Sequence, residues 1–291
     1  MLLNSILLPI DGSAASLQAV ETALALATAS GAKLIAESVV DSNALWEVIS
    51  TSPAGLVGSG PYLSAREALS NALRSASEAL LLSFEVRANA YDVDSEVVID
   101  EGNLISEIIN RATEHDLVIL GHNRHRKHEP LADEYVTRHS VSERVSKLCP
   151  KPLLLVQEKA YGWEHARLVV NKATAVKETI DTFLSLTSAF GLAAEIYAVC
   201  PDCEQGEMAR EIAKLVDNRQ RVRIITREWN ECDGAWECAQ DVHDNTLLVV
   251  STEEKGGNRQ TCGNSELYDL VRDLHTSAVL IMPPQPAPVL R

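Results

Sequence analysis

Four cysteines in the second half of the chain have a spacing that makes them the best candidates for a metal site in this sequence. Cys200 and Cys203 form a C-x2-C pair directly after an apolar run that predicts a strand. Cys232 and Cys238 follow the next such run. Thiolates from two short segments can close a tetrahedron around Zn²⁺, so these four are a candidate zinc site with His243 as a substitute ligand. The alternative is independent reduced thiols. A redox function of the C-x2-C pair is less well supported, because such a motif should lie at the start of a helix that directly follows a strand.

A strongly basic loop in an otherwise acidic chain is the second candidate. Residues 121–128 read GHNRHRKH and precede a predicted helix over residues 141–148. Positive charge beside a helix N-terminus is what an anion site requires. The alternative is a solvated surface loop without a ligand. His122, His125 and His128 form an H-x2-H-x2-H run, but the cations between them repel a metal ion and favour a basic loop instead.

The elements that must position these residues follow one strand–helix order, which occurs twice. Predicted strands in the first half are residues 5–9, 33–40, 95–99, 116–120 and 152–156; those in the second are 167–171, 194–199, 222–226, 246–250 and 278–282. Apolar strands alternating with helices predict an α/β fold of two doubly wound, Rossmann-like domains with parallel sheets. Ligands bind beyond the carboxyl ends of such strands. The candidates are therefore Asp11, residues 40–41 and 99–102, and Gly121 onward.

Composition excludes several classes of function. The net charge of -15 argues against nucleic acid and anionic membrane surfaces as partners, because both are bound through clustered Lys and Arg. No stretch has the length and apolar character of a membrane span, and the N-terminus lacks a signal-peptide pattern. Six cysteines in 291 residues do not suggest a disulfide scaffold. We therefore expect a cytoplasmic protein.

Motifs throughout the first half resemble those of the universal stress protein family. They are ILLPIDGS at residues 6–13, Glu101-Gly102-Asn103 before a helix, DLVILG at 116–121, SVSERV at 140–145 and PKPLLLV at 150–156. The second half is similar to the same fold through strand spacing and residues 267–283. The resemblance implies two tandem domains, 1–157 and 165–291, of the adenine nucleotide alpha hydrolase-like type. Each has a five-stranded parallel sheet, and the fifth strands pair within one chain as a pseudo-dimer. A homodimer through other surfaces stays open.

In nucleotide-binding members of that family, the segment after the fourth strand reads G-x2-G-x9-G-[ST]. Glycines there let the backbone approach phosphates near a helix N-terminus. Carried over residue by residue, the resemblance implies a site of Asp11, Val39, Gly121, Arg124, His139, Ser140, Val141 and Ser142, with Asp11 beside ribose and Val39 beside adenine. Arg124 and His139 replace two of the three glycines, and fourteen residues replace the spacer of nine. A side chain at a glycine position can block that approach.

The second half departs further from the motif. Its equivalent loop, residues 251–265, begins with Ser251 and contains Glu253 and Glu254, so we expect no ATP site there. In the family's fold, the strands that precede the two cysteine pairs are neighbours, which brings both pairs to one sheet edge.

The resemblance implies a stress-response protein that binds ATP or another phosphate-containing ligand in its first half as a sensor. The sequence contains no nucleophile with a base, no P-loop lysine and no G-x-S-x-G elbow, so we expect at most slow ATP hydrolysis rather than an enzyme. The alternative is a nucleotide-free interaction or scaffold protein with a structural zinc ion in its second half.

Overall fold

The computed structural model describes residues 3–41, 59–122, 140–158, 162–171, 177–200, 205–216, 222–228, 245–255, 258–261, 271 and 278–284. Several predictions fall outside these ranges. They concern the basic loop with Arg124 and His139, the cysteines Cys203, Cys232 and Cys238, and the substitute ligand His243.

The first half alternates strands and helices as the sequence predicts. Its elements are β1 (Ser5–Pro9), α1 (Ala14–Ser30), β2 (Lys33–Val40), α2 (Ser59–Ala90), β3 (Ser95–Glu101), α3 (Leu104–Ala112), β4 (Leu117–His122), α4 (Val141–Leu148) and β5 (Leu153–Gln157). Ser13 caps the N-terminus of α1, and Gly31 ends that helix in the left-handed conformation with φ 71°. β3 and β4 each extend two residues beyond the predicted strand, which carries their carboxyl ends further toward the expected ligand edge.

The second half contains a hairpin that the sequence interpretation missed. Its elements are β6 (His165–Val170), α5 (Lys177–Phe190), β7 (Ala193–Cys200), α6 (Gln205–Val216), β8 (Val222–Glu228), β9 (Thr246–Lys255), β10 (Asn258–Thr261) and β11 (Ala278–Met282). β9 continues through residues predicted to be the start of a loop, and β10 pairs with it antiparallel. The loop prediction for residues 251–265 is therefore wrong in its first part. The Gly256-Gly257 dipeptide between two polar runs was the hairpin signal.

All of the described strands lie in one continuous sheet. Its order is β3-β2-β1-β4-β5-β11-β9-β6-β7-β8, with β10 attached to β9. Apart from the β9–β10 hairpin, strands within each half pair in parallel, whereas β5 and β11 pair antiparallel over four residues of each strand. β5 and β11, the last predicted strand of each half, are neighbours in this register, and β11 covers what would otherwise be a bare edge of β5.

Each face of the sheet carries an apolar cluster that includes residues of both halves. One cluster joins strand residues to the inner sides of α1, α2, α5 and α6, with Phe84 and Phe183 among its fully or nearly fully buried members. The opposite cluster contains Ile105 and Ile108 of α3, Val145 of α4 and Val271. Within the described ranges, no helix combines the length and apolar character that crossing a bilayer demands. The two layers fix the carboxyl ends of the strands, where the candidate site lies.

Candidate ligand-binding site

A cavity of about 420 Å³ opens at the carboxyl ends of β1, β2 and β4. Strand order reverses between β1 and β4, and this is where doubly wound sheets bind their ligands. The sheet contributes residues 9–12, residues 37–40, Leu120 and Gly121, and the first residue of α4, Val141, lies at its rim. α2 forms one wall with Leu73, Ala76, Ser77 and Leu80, and α3 contributes Leu104 and Ile108. We call this cavity the crevice.

The crevice brings together half of the eight residues that the resemblance singles out. Asp11, Val39, Gly121 and Val141 line it. Ser140 and Ser142 lie beside it at the start of α4, whereas Arg124 and His139 fall outside the described residues. The sequence interpretation missed Glu37 and the wall formed by α2. A charged residue in the interior of β2, directly after the apolar run 34–36, was the available signal for Glu37.

Asp11 organises the turn from β1 into α1. Its Oδ1 accepts a hydrogen bond from the Ser13 N–H at 2.9 Å, and its own N–H donates to Ser16 Oγ at 3.2 Å. Ser13 Oγ in turn accepts from the Ser16 N–H at 3.2 Å. Gly12, with φ 79°, takes the left-handed conformation that this turn requires. The turn therefore holds an exposed carboxylate and the N-terminus of α1 at the mouth of the crevice.

Gly121 is required where β4 passes the N-terminus of α1. A Cβ at this position would lie 2.5 Å from the Ser16 nitrogen, 2.6 Å from the Ala15 carbonyl carbon and 2.8 Å from the Ser16 Cα. All three atoms belong to the backbone, so no side-chain rotation can relieve the overlap. The glycine at this motif position therefore has a packing reason that is independent of any bound phosphate.

The second half differs at the corresponding position. Gly121 follows the apolar run 117–120 of β4, and Ser251 follows the run 247–250 of β9, with the two runs aligned by their pairing to β1 and β6. Ser251 is buried, and its hydroxyl donates to the Val169 carbonyl at 3.3 Å. Ser251 thus carries a side chain where the first half has none, so no backbone can approach β9 at this position as closely as α1 approaches Gly121.

The serines at the start of α4 already take part in an internal hydrogen-bond network. Ser140 Oγ accepts from the Glu143 N–H at 3.2 Å, and the Glu143 carboxylate accepts from the Ser140 N–H at 2.6 Å, forming a capping box. Ser142 Oγ lies 2.7 Å from His122 Nδ1 and 3.1 Å from Ser140 Oγ. The carboxylate of Glu143 therefore lies at the helix N-terminus, where a bound phosphate would compete with it.

Replacing Ser140 with alanine is expected to lower the free energy of unfolding by about 1 kcal/mol, because the substitution removes the cap of α4. Chemical denaturation of the ligand-free protein measures this change. Ser140→Thr keeps an acceptor oxygen and should lose much less. Equal losses for both variants would contradict a capping role.

Glu37 is a fully buried carboxyl group in the wall of the crevice. Its Oε1 lies 3.6 Å from Arg111 Nε, and neither of its oxygens accepts a hydrogen bond from a donor among the described residues. Arg111 instead donates two hydrogen bonds of 2.8 Å to the Asp100 carboxylate. Burial, reinforced by the nearby Asp100 and opposed by Arg111, raises the pKa of Glu37 to about 8. Glu37 is therefore largely protonated at neutral pH, and its O–H can then donate to Asp100.

The candidate zinc ligands lie mostly outside the described residues. β7 and β8 are neighbours and end together at Cys200 and Glu228, so the adjacency of strands on which the zinc prediction depended is confirmed. In the part of the chain that the structure describes, no three His, Cys, Asp or Glu side chains are grouped to hold a metal ion. The set Cys200, Cys203, Cys232 and Cys238 stays a prediction.

Comparisons with known proteins agree with this architecture. A solved universal stress protein from Archaeoglobus fulgidus DSM 4304 is similar with a TM-score of 0.69 and 14% identity, over 98% of this chain and 100% of that chain. A protein of unknown function from Pseudomonas aeruginosa PAO1 gives a TM-score of 0.58 and 15% identity, over 97% and 93% of the two chains. These identities show the fold alone. No curated protein sequence matches the chain.

A family model described as the universal stress protein family matches residues 3–157, which is more than half of the 291 residues. The matched segment runs from just before β1 to the last residue of β5 and contains every described residue that lines the crevice. The chain belongs to the universal stress protein family.

Proposed function

We propose that the crevice binds an adenine nucleotide or another phosphate-containing small molecule, and that the protein acts as a ligand-responsive stress protein rather than as an enzyme. One observation carries the proposal. The cavity at the point of strand reversal is lined by Asp11, Val39, Gly121 and Val141, the positions to which the family motif assigns the ligand.

The chemistry of the described walls suits the nucleoside part of such a ligand. Val39 of β2 lies on the same face of the sheet as Leu104 and Ile108 of α3, and together they line a largely apolar space that fits a heterocyclic base. The exposed carboxylate of Asp11 is an acceptor for sugar hydroxyl groups. Ser38 and Ser77, whose hydroxyl oxygens lie 2.9 Å apart, add polar groups on the side of α2.

The phosphate end must lie toward α4 and the preceding basic segment. Among the described residues, the carboxylate of Asp11 lines the crevice and the carboxylate of Glu143 lies at the start of α4, whereas Glu37 is largely protonated. Phosphate is therefore repelled by these walls unless cations offset the charge. We assign that task to Arg124 and His139, which the sequence brings next to β4 and α4.

We also propose a division into two domains, residues 1–157 and 165–291, that form a pseudo-dimer inside one chain. The antiparallel pairing of β5 with β11 supports this division. The first domain would hold the ligand. The second, with Ser251 in place of Gly121, would serve a structural role.

The proposal is tested by filling the crevice from α2 without disturbing the core. Ala76 and Ala79 are both exposed residues of α2, but only Ala76 belongs to the lining of the crevice. Isothermal titration calorimetry with ATP should show binding to the wild type and a loss of affinity of at least about tenfold for Ala76→Trp, since the indole occupies ligand space. Ala79→Trp is the matched control and should retain the wild-type affinity.

Two results would contradict the proposal. One is the absence of measurable affinity for ATP, ADP and AMP at millimolar concentration. The other is equal affinity for the two tryptophan variants, which would move the site away from the crevice. Native mass spectrometry of freshly purified protein adds a direct check, because a retained nucleotide appears as added mass.

The same mass spectrum tests the second candidate function, a nucleotide-free scaffold with a structural zinc ion held by Cys200, Cys203, Cys232 and Cys238. The neighbouring ends of β7 and β8 favour this candidate. A zinc mass without nucleotide would support it.

A further inference from the structure

Glu37 is a charge-bearing group in a place where charge is costly. It is the fifth residue of β2, its side chain is completely buried, and it forms part of the crevice wall. A buried ionised carboxylate is stable only when a cation and hydrogen bonds compensate it. Neither oxygen accepts a hydrogen bond from a donor among the described residues, so the proton is what neutralises this group.

The charged groups around Glu37 explain why Arg111 does not neutralise it. Asp100 of β3 and Glu107 and Arg111 of α3 are the charged groups that act on it, and the residue beside it on β1 is Pro9. Arg111 makes its two short hydrogen bonds to Asp100. If Glu37 ionised, one guanidinium would have to compensate both Glu37 and Asp100, with Glu107 adding a further negative charge near Glu37.

Arg111 connects this cluster to the shape of the crevice. It lies in the last turn of α3, and Leu104 and Ile108 of the same helix line the crevice. Residues 104, 108 and 111 are separated by four and three positions and therefore share one face of the helix. A movement of Arg111 along the sheet surface moves the apolar wall with it.

We propose that the proton on Glu37 controls the position of α3 against β2, and thereby the width of the crevice, with Arg111 as the positioning residue. While Glu37 is protonated, its O–H donates to Asp100 and Arg111 stays on Asp100. When Glu37 releases its proton to solvent, Arg111 divides its hydrogen bonds between the two carboxylates. The 3.6 Å separation then closes to the length of a charge-assisted hydrogen bond, about 2.8 Å, and draws α3 inward.

The consequence for ligands rests on the proposed function of the crevice, but the movement itself is testable without any ligand. Methyl NMR of the full-length protein from about pH 6 to pH 10 follows the methyl groups of Leu104 and Ile108, with Ile212 of α6 as a distant reference. We expect the methyl resonances of Leu104 and Ile108 to shift with pH, with the same midpoint as the carboxyl-carbon resonance of Glu37, near pH 8. Glu37→Gln should abolish these shifts, whereas Ile212 should not follow the transition.

A second variant covers the case in which Glu37→Gln does not fold. Arg111→Lys keeps the positive charge but loses the two-pronged contact to Asp100. In this variant the Glu37 carboxyl should still titrate, while Leu104 and Ile108 should no longer follow it. The proposal would be overturned if the methyl resonances of Leu104 and Ile108 did not titrate with Glu37 in the wild type. It would also be overturned if they shifted by the same amount in Arg111→Lys.

Calorimetry with ATP then tests the link to ligand binding. Affinity should fall at least about threefold between pH 6.5 and pH 9 in the wild type and stay constant in Glu37→Gln, because ligand and proton binding are linked. A pH-independent affinity in the wild type would overturn the coupling to ligand. Titrating methyl groups in a protein that binds no nucleotide would support the movement of α3 and refute the proposed function instead.

Discussion

Gly121→Ala is expected to lower the free energy of unfolding by about 1–3 kcal/mol, the usual range for forced overpacking. The new Cβ would lie 2.5–2.8 Å from backbone atoms of Ala15 and Ser16, so the first turn of α1 must move away from β4. Hydrogen bonds of Ser13 and Asp11 fix that turn, so its movement would also displace the mouth of the crevice. Urea unfolding followed by circular dichroism measures the loss.

Gly206→Ala is the control for this prediction. Gly206 lies in the first turn of α6, where an added Cβ meets no atom within 4 Å. Alanine there should leave stability unchanged or raise it by up to about 1 kcal/mol through its better helix propensity. A Gly121→Ala variant as stable as the wild type would mean that α1 can retreat without cost. The close approach would then impose no constraint on this position.

The same substitution separates two reasons for a glycine at the motif position. If Gly121 serves packing alone, the variant should lose stability but retain nucleotide affinity once folded. If its backbone also approaches a phosphate, affinity should fall as well. The sequence could not distinguish these cases, because it does not show how near α1 comes to β4.

Strand positions in the first half were predictable because buried parallel strands are short apolar runs with turn residues after them. Ser5–Pro9 and Lys33–Val40 follow this pattern, and the structure places both as predicted. β9 did not follow it, because its second part consists of polar residues stabilised by pairing with β10. Such a hairpin depends on a partner strand and not on an apolar pattern of its own.

The chemistry of the site was only partly predictable. The family motif identified the sheet residues of the crevice, but the wall from α2 depends on how a 32-residue helix lies over β2 and β3. The burial of Glu37 depends likewise on α3. In the second half the fifth residue of the second strand is Tyr197, whose ring lies 4.7 Å from the guanidinium of Arg167. The same sheet position thus carries a proton-binding group in one half and a cation–π contact in the other, and neither follows from the strand pattern.

Glu37→Gln is expected to change how stability depends on pH. The pKa of Glu37 is raised from 4.5 to about 8, so the folded protein binds more protons than the unfolded chain between these values. The contribution of the protonated group is complete below about pH 4.5, falls as the pH rises, and is lost above about pH 8. At about 1.36 kcal/mol per pH unit, the loss across this window has an upper limit of about 5 kcal/mol.

The amide of glutamine has nearly the shape of the protonated carboxyl and no proton to lose, so the variant should not show this loss. In denaturation series at pH 5, 7 and 9, the free energy of unfolding of Glu37→Gln should therefore rise relative to that of the wild type as the pH increases. Taking the difference between the two proteins removes other titrations, including that of His115, whose pKa burial lowers. Glu211→Gln removes an exposed charge of α6, far from Glu37; it is the control, and its unfolding free energy should depend on pH as that of the wild type does. A difference between Glu37→Gln and the wild type that stays flat with pH would mean that Glu37 is ionised in the folded protein, with Arg111 shared between it and Asp100 throughout the range.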